Sequence, residues 1–238
     1  MPEILTFDSP LAAAQACGDK ILQLIDAARR ERGLATLAVS GGHTPRLMFE
    51  WMAPRPFDWS GIELFQVDER CVPPDSDQSN YRMMRESLLD AVRIPAKQVH
   101  RVDTSLAPAD AARTYADEIR GILKVKAGEL PVFDVIQLGM GPDGHTASLF
   151  PGEPLVQDRA GVTAAVWVEK FKQHRVTLLP GVLQRARHTL SLVTGADKAE
   201  ALQAVLRGPV DSAQFPIQLV ASQAVWYIDG SADAKLQS

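Results

Sequence analysis

The sequence has only two cysteines among its 238 residues, and they form neither a CxxC pair nor a cluster with histidine. Two isolated cysteines do not supply a disulfide framework or a cysteine-based zinc site. No apolar run reaches the roughly 18 residues of a membrane-spanning helix, so no membrane partner is expected. The first residues, MPEILTFDSP, contain no basic region followed by an apolar run. We therefore expect no signal peptide and a reduced, cytoplasmic location.

The chain also lacks an excess of positive charge, because its formal net charge is −4 and its isoelectric point is about 5.7. Without a general basic surface, no nucleic-acid partner is expected. An anionic ligand would have to be held by local cations and by backbone N–H groups. The five histidines, at positions 43, 100, 145, 174 and 188, show no HxxH or HExxH pattern, so a metal site is not expected.

Apolar runs alternate with helical patterns along almost the whole chain. A helix is predicted over residues 10–32, with Ser9 as its cap and Gly33 as its end. Other helices are predicted after Pro45 and over residues 81–90, 108–124 and 199–206. Strands are predicted over residues 34–39, 62–67, 98–102, 132–138, 162–168, 175–179, 188–193, 217–221 and 225–228. This alternation predicts one α/β domain, residues 1–238, with a mostly parallel sheet and helices on both faces.

Residues 139–152, GMGPDGHTASLFPG, follow the predicted strand at residues 132–138. Asp143 and His145 lie within this glycine-rich turn, where a titratable pair is a candidate for acid–base chemistry. The stretch also contains GxGxxG, the dinucleotide-binding pattern. However, Pro151 would end any following helix, and Asp143 would lie against a pyrophosphate. A purely structural turn is the other interpretation that stays open here.

A second glycine loop, Ser40-Gly41-Gly42-His43-Thr44-Pro45, joins a predicted strand to a predicted helix. A helix start of this kind favours phosphate, because its N–H groups are unpaired and the helix dipole attracts anions. The loop lacks the GxxxxGK[ST] pattern of a nucleotide P-loop. It also approaches the GxSxG pattern of a serine nucleophile, with Ala38 in place of the first glycine. A phosphate loop, a plain turn and a nucleophilic Ser40 are therefore all considered.

Further candidates lie at other predicted strand and helix ends. Asp68 and Arg70 belong to a charged loop, DER, that directly follows the strand at residues 62–67. Lys198 begins a predicted helix, and Arg175 begins a predicted strand; both are well placed for a phosphate, although either could simply be exposed. We interpret Cys17 as a core residue, because it lies on the apolar stripe of the first helix. Cys71 has no evident base partner and is taken as incidental.

Four stretches together resemble the 6-phosphogluconolactonase family, in a superfamily that also holds glucosamine-6-phosphate deaminase. They are SGGHTP at 40–45, VDERCVP at 67–73 with SNY at 79–81, the 139–152 loop, and GADKA at 195–199. The similarity covers roughly residues 8–229. It implies a Rossmann-like sheet, a phosphorylated sugar lactone as substrate and no metal or organic cofactor. The activity implied is hydrolysis of 6-phosphoglucono-1,5-lactone, the second step of the oxidative pentose phosphate pathway.

The resemblance also implies roles for individual residues. His145 would be the general acid/base, Asp143 would hold the geometry of the site, and Arg70 would face the reacting carbonyl. Asp68 matches the first acid of an Asp-Glu pair found in both branches of the superfamily. The 6-phosphate would be held by the first glycine loop and two cations: Ser40, Gly41, Gly42, His43, Thr44, Arg175 and Lys198.

Two positions depart from the pattern of the relatives. The deaminases carry a glutamate five residues after the motif histidine, where this chain has Phe150, so the lactonase branch is favoured. Relatives often have serine or threonine at the position of His43, which removes a hydroxyl donor from the phosphate loop. A deaminase or isomerase, a metal-dependent hydrolase and a non-catalytic sugar-phosphate sensor are retained as alternatives, and a monomer or small homo-oligomer is expected.

Overall fold

The computed structural model describes residues 2–236. Met1 and residues 237–238, at the ends of the predicted 1–238 domain, lie outside the described residues. Within residues 2–236 the strands are β1 (Glu3–Phe7), β2 (Ala35–Val39), β3 (Ile62–Gln66), β4 (Asp68–Arg70), β5 (Val99–His100), β6 (Val135–Leu138), β7 (Thr163–Val168), β8 (Gln173–Leu178), β9 (His188–Val193) and β10 (Ala224–Asp229). The α-helices in this range are α1 (Pro10–Arg32), α2 (His43–Met52), α3 (Asn80–Met84), α4 (Pro108–Ile122), α5 (Pro180–Leu183), α6 (Ala199–Arg207) and α7 (Gly230–Asp233).

The main sheet has seven strands in the order β1-β10-β9-β6-β2-β3-β5, and every neighbouring pair is parallel. Parallel strands that are covered on both faces read as continuous apolar runs, and all five residues of β2 are buried. The prediction of an α/β fold with a mostly parallel sheet is confirmed. In the described part of the chain, no helix is long and apolar enough to cross a membrane.

Helices cover both faces of the main sheet, as predicted. Leu37 and Val39 of β2 pack into a core with α1 and α2, whereas Ala38 between them packs into a second core with α4 and α6. The alternation follows from the period of two along a strand. Helix α1 has the predicted bounds, because the Ser9 hydroxyl caps its start and Gly33, at φ 77°, ends it in the left-handed conformation.

A second, antiparallel sheet has the order β4-β8-β7. The predicted loop at Asp68, Glu69 and Arg70 is therefore strand β4, which pairs with β8 more than 100 residues later. Strands β7 and β8 form a hairpin in this smaller sheet instead of joining the parallel one. The hairpin packs against α4 and brings β8 beside the charged end of β3.

Two further predictions differ from the structure. Strand β1 was not predicted, and it lies at the edge of the main sheet, paired with β10. The strand predicted over residues 217–221 is wrong, because Pro216–Leu219 forms a 3₁₀ helix. The helix predicted over residues 81–90 is present as α3, capped by the Ser79 hydroxyl, and continues as a π-helical turn at Arg85–Leu89.

Candidate active site

A cleft of about 530 Å³ opens at the carboxyl ends of the central strands. Strands β2 and β6 are neighbours at the centre of the sheet. From β2 the chain adds β3 and β5 towards one edge, and from β6 it adds β9 and β10 towards the other, so the strand order reverses between β2 and β6. Ligands of open α/β sheets bind at such positions. The predicted site residues that line the cleft are Ser40, Gly41, Gly42, His43, Thr44, Asp68, Arg70, His145, Arg175 and Lys198. Asp143 is not among the lining residues, but its carboxylate is hydrogen-bonded to His145, which is.

The loop after β2 presents the start of helix α2 to the cleft. Gly42 caps this helix at φ 121°, and His43 is its first residue. Gly41 leaves no room for a side chain, because a Cβ there would lie 1.9 Å from Oδ1 of Asn80. The Thr44 hydroxyl lies 2.7 Å from that of Thr194, which joins the loops after β2 and β9. Unpaired N–H groups in the first turn of α2 therefore face the cleft as donors for an anion.

Lys198 reaches the same cleft from the loop after β9. It ends the 3₁₀ turn Ala196–Lys198, and its ammonium pairs with the exposed carboxylate of Asp197. Its side chain is only 19% exposed. The preceding Gly195 donates its backbone N–H to Oδ1 of Asp229 at 2.9 Å, which fixes the start of this turn. A phosphate at the α2 N-terminus would have Lys198 as a nearby cation.

His145 and Asp143 form a hydrogen-bonded pair in the loop after β6. Nδ1 of His145 lies 2.5 Å from Oδ1 of Asp143. This hydrogen bond holds the pKa of Asp143 well below its usual range, and the Lys170 ammonium, 3.4 Å from Oδ2, adds to the effect. An ionised carboxylate only accepts hydrogen bonds, so Nδ1 carries the proton and Nε2 is left as the basic nitrogen. The geometry therefore suits general base chemistry.

The same loop is shaped around the imidazole ring of His145. A Cβ at Gly141 would lie 2.0 Å from Nδ1 of His145, so only glycine fits beside the ring. The ring also stacks on Phe150, with 4.2 Å between centroids. Thr146 donates its hydroxyl to the backbone oxygen of Gly139 at 2.9 Å, which closes the loop. These contacts hold the ring in one orientation.

Two arginines lie together on β4 and β8. Arg70 and Arg175 are direct cross-strand partners. Arg70 donates from Nη1 to the backbone oxygen of Gln78 at 2.6 Å. Arg175 is buried, which lowers the pKa of its guanidinium, and it lies over the rings of Phe150 and Phe171 at 5.6 and 4.9 Å. These contacts place Arg175 on the side of the cleft that holds His145.

Asp68, at the start of β4, is buried and held by two residues. Its Oδ2 accepts a hydrogen bond from the Ser148 hydroxyl at 2.6 Å, and its backbone oxygen accepts one from the Asn80 amide at 2.9 Å. Ser148 belongs to the 139–152 loop, so this bond joins the DER segment to the loop that carries His145. Ser148 lies within the 139–152 motif, but the sequence alone did not indicate that it bonds to Asp68, 80 residues away.

Glu69 is a residue of the site region that the sequence did not single out. Its buried carboxylate accepts hydrogen bonds from the backbone N–H groups of Arg70, Asn80 and Tyr81 at 2.7–2.8 Å. A carboxylate at the start of α3 satisfies donors that the helix itself leaves unpaired. Glu69 thus fastens α3 to β4 and positions Asn80 against Gly41. No spacing rule would have revealed this, because the partners lie 11 and 12 residues apart.

A family model described as glucosamine-6-phosphate isomerases/6-phosphogluconolactonase matches residues 8–227. The chain belongs to this family. A 6-phosphogluconolactonase of Synechocystis sp. is 40% identical over 212 residues, which are 87% of each chain. The structure of 6-phosphogluconolactonase from Trypanosoma cruzi matches with a TM-score of 0.89 at 27% identity, covering 100% of this chain and 98% of that one. A monomeric glucosamine-6-phosphate deaminase matches with a TM-score of 0.83 over 98% and 99% of the two chains, but at 18% identity this shows the shared fold alone.

Phe150 occupies the position at which the deaminase pattern has a glutamate, and the structure shows what this residue does. An acid at this position would lie against the imidazole, but the Phe150 ring occupies that face of His145. The only carboxylate bonded to His145 in the described residues is that of Asp143. A single acid partner leaves the imidazole oriented, with Nε2 free for the cleft.

The structure also shows the surroundings of the other potentially reactive side chains considered from the sequence, a serine and two cysteines. The Ser40 hydroxyl donates to the backbone oxygen of Gln137 at 3.2 Å, so in residues 2–236 it has no base as a partner. Cys17 is fully buried in the core, as predicted, and burial raises the pKa of its thiol. Burial also raises the pKa of Cys71, which is not an activated thiol. Within residues 2–236 no group of three or more His, Cys, Asp or Glu side chains is arranged to hold a metal ion.

Proposed function

We propose that the protein hydrolyses 6-phosphoglucono-1,5-lactone to 6-phosphogluconate, the second step of the oxidative pentose phosphate pathway. The observation that carries this proposal is the oriented His145–Asp143 pair in one cleft with Arg70 and the start of α2. The pair supplies a base, the arginine supplies a cation for a developing oxyanion, and the helix start supplies a phosphate site. The relatives at the highest listed identities carry the name 6-phosphogluconolactonase, in agreement with this combination.

The phosphate of the substrate would bind at the N-terminus of α2, with Thr44 and Lys198 as side-chain partners. Backbone N–H groups and the helix dipole act there on a dianion. The imidazole of His43 is exposed at the first position of the helix, where its protonated form would add a donor. Anchoring at the 6-phosphate leaves C1 to reach the His145 loop, and binding energy gained far from C1 orients the lactone.

The chemical step then needs one proton transfer in each direction. Nε2 of His145 takes a proton from a water molecule as the water oxygen attacks C1. Arg70 stabilises the oxyanion of the tetrahedral intermediate. When the bond between C1 and the ring oxygen breaks, His145 returns the proton to that oxygen, which becomes the free 5-hydroxyl. The carboxylic acid left at C1 then loses the second proton of the water molecule to solvent and becomes a carboxylate. General base catalysis of this kind contributes roughly 10²–10⁴-fold, which suits an activated ester.

A deaminase or isomerase is the second candidate because it shares the fold and the sugar-phosphate substrate class. The stacking of Phe150 on His145 favours the lactonase, since it leaves no room for a second acid at the imidazole. A non-catalytic sensor would use the same phosphate site but would have no need for an oriented His–Asp pair. We propose no metal or organic cofactor for the reaction.

The test is to follow hydrolysis of freshly prepared 6-phosphoglucono-1,5-lactone at mildly acidic pH, with a chelator present. The spontaneous reaction is slower there. Enzymatic turnover is expected, with no ammonia released from glucosamine 6-phosphate. Turnover that requires an added metal, or ammonia release without lactone hydrolysis, would replace the proposal. Binding of 6-phosphogluconate without turnover would indicate a sensor.

The remaining expectations concern the state of the protein in the cell. We propose one folding unit over residues 1–238, a monomer or small homo-oligomer, a cytoplasmic location and no nucleic-acid or membrane partner. A single thermal unfolding transition, sedimentation equilibrium and cell fractionation test the first three. These properties are independent of the chemistry of the cleft.

A further inference from the structure

The tip of the β7–β8 hairpin reaches the loop that carries His145. This tip contains the 3₁₀ turn Glu169–Phe171, which lies between the two strands. Nζ of Lys170, in the middle of the turn, lies 3.4 Å from Oδ2 of Asp143. The two residues are 27 positions apart in the chain, so the folded hairpin brings the ammonium to the carboxylate. The hairpin therefore supplies a third charged group to the His145–Asp143 pair.

The two carboxylate oxygens of Asp143 have different partners. Oδ1 accepts hydrogen bonds from Nδ1 of His145 at 2.5 Å and from the backbone N–H of the same residue at 3.3 Å, whereas Oδ2 faces the ammonium of Lys170. A carboxylate that is held at both oxygens keeps its plane fixed against the imidazole. The ammonium also offsets part of the negative charge that acts on the imidazole. Lys170 thus acts on His145 through Asp143.

The residue after Lys170 fastens the tip to the same loop. Phe171 packs edge-on against Phe150 with 6.1 Å between ring centroids, and Phe150 stacks on His145. The Lys170 side chain is 57% exposed, and ion pairs with such exposure contribute little to the stability of a fold. The position of this ammonium at the reacting pair is therefore explained by an effect on the reaction.

Other charged groups face His145 from the rest of the cleft, but they do not touch its carboxylate partner. Those that line the cleft are His43, Asp68, Arg70, Arg175, Asp197 and Lys198. Among residues 2–236, none of these cations lies within ion-pair distance of Asp143. On the hairpin tip itself, Lys172 and Glu169 pair with each other. Lys170 is therefore the cation whose removal changes the surroundings of Asp143 directly.

We propose that Lys170 is a positioning residue of the hydrolysis, which limits how strongly Asp143 stabilises the imidazolium form of His145. This inference rests on the proposed function. A carboxylate without an opposing cation favours the protonated imidazole, and a protonated Nε2 cannot take a proton from water. With Lys170 in place, Asp143 still holds the proton on Nδ1. The proton that Nε2 gains from water is then released more readily to the ring oxygen.

The test is the pH profile of kcat/KM for lactone hydrolysis by the wild type, Lys170→Gln, Lys170→Arg and Lys172→Gln. Without the ammonium the imidazolium persists to higher pH, so the acid limb of the Lys170→Gln profile should move upward. A unit charge about 6 Å away in water moves a titration by roughly 0.5 pH unit, which is the expected shift. KM at the pH optimum should stay within about twofold, because Lys170 acts through Asp143 and not on the substrate.

Two of the variants are controls. Lys172→Gln removes the same charge from the same tip, but from a lysine that pairs with Glu169, and it should follow the wild-type profile. Lys170→Arg keeps the charge and should also follow it. An NMR titration of the His145 imidazole in the four proteins needs no turnover and should show the same upward shift in Lys170→Gln alone. Failure of the proposed function, seen as a wild type without turnover, is therefore distinguishable from failure of this inference.

Three results would overturn the inference. An unchanged profile and an unchanged imidazole titration in Lys170→Gln would show that the ammonium has no effect on the pair. A raised KM with an unchanged profile would make Lys170 a contact of the substrate. Equal shifts in Lys170→Gln and Lys172→Gln would show a general effect of charge on the tip and not the ion pair with Asp143.

Discussion

Replacing Gly141 with alanine adds one methyl group at the point where the loop after β6 passes His145. The added Cβ would lie 2.0 Å from Nδ1 of His145 and 2.8 Å from Oδ1 of Asp143. Ordinary contact begins at 3.4 Å, so the imidazole would have to move by about 1.4 Å. Gly141 does not have a left-handed φ, so alanine is compatible with its backbone and the collision is the whole perturbation.

The size of the effect follows from this displacement. A shift of about 1 Å in a reacting group can cost roughly 100-fold in rate, and complete loss of a general base costs roughly 10²–10⁴-fold. We therefore expect kcat of Gly141→Ala to fall about 100-fold, which is about 2.7 kcal/mol of transition-state free energy. Affinity for 6-phosphogluconate should change much less, because the phosphate and C1 donors stay in place.

The assay is steady-state lactone hydrolysis, together with calorimetric binding and a thermal melt of the same samples. Gly121→Ala is the matched control, since its methyl group would point into open space in α4, far from the cleft. A Gly141→Ala protein that keeps its fold and turns over within threefold of the control would refute the steric argument. Loss of binding and of thermal stability together would mean that the loop as a whole had collapsed.

Two other predictions concern the phosphate and the stability of the fold. Lys198→Ala should raise KM by roughly tenfold with kcat little changed, because it removes a contact shared by substrate and transition state; an unchanged KM would contradict the phosphate assignment. Burial alone would lower the pKa of His100, but hydrogen bonds to Glu118 and Glu63 outweigh it and raise that pKa. The stabilisation by His100 is therefore complete below its unfolded pKa of about 6.5 and is lost as the pH rises through the folded value. Urea unfolding at pH 6 and pH 9 should show the difference between wild type and His100→Gln narrowing at the higher pH, and a widening difference would contradict it.

The sequence was sufficient wherever local chemistry decides the structure. Ser9 and Gly33 mark the two ends of α1 because capping depends on neighbours in the sequence. The buried strands β2 and β9 were predicted within one residue, since β-branched and apolar runs bounded by turns are read directly. The glycine loops after β2 and β6 were each predicted directly after a strand, and they meet in one cleft because parallel strands end on the same side of a sheet.

The sequence was insufficient wherever a distant partner decides the structure. Asp68 to Arg70 is a strand only because β8 pairs with it, and that pairing alone sets Arg175 opposite Arg70. Strand β1 depends in the same way on β10. The 3₁₀ helix Pro216–Leu219 shows the opposite error, because a short apolar run after a proline does not distinguish a strand from a turn of helix. The stacking of Phe150 on His145 was not predicted either, because it depends on how the loop after β6 folds back on itself.

The most direct test of the proposed chemistry is the rate of 6-phosphoglucono-1,5-lactone hydrolysis by the wild type and by His145→Ala, with a chelator present. Loss of the imidazole is expected to reduce kcat by roughly 10²–10⁴-fold while 6-phosphogluconate still binds, because the base is removed and the anion donors remain. Turnover of His145→Ala within about threefold of the wild type would contradict the role of His145 as the base.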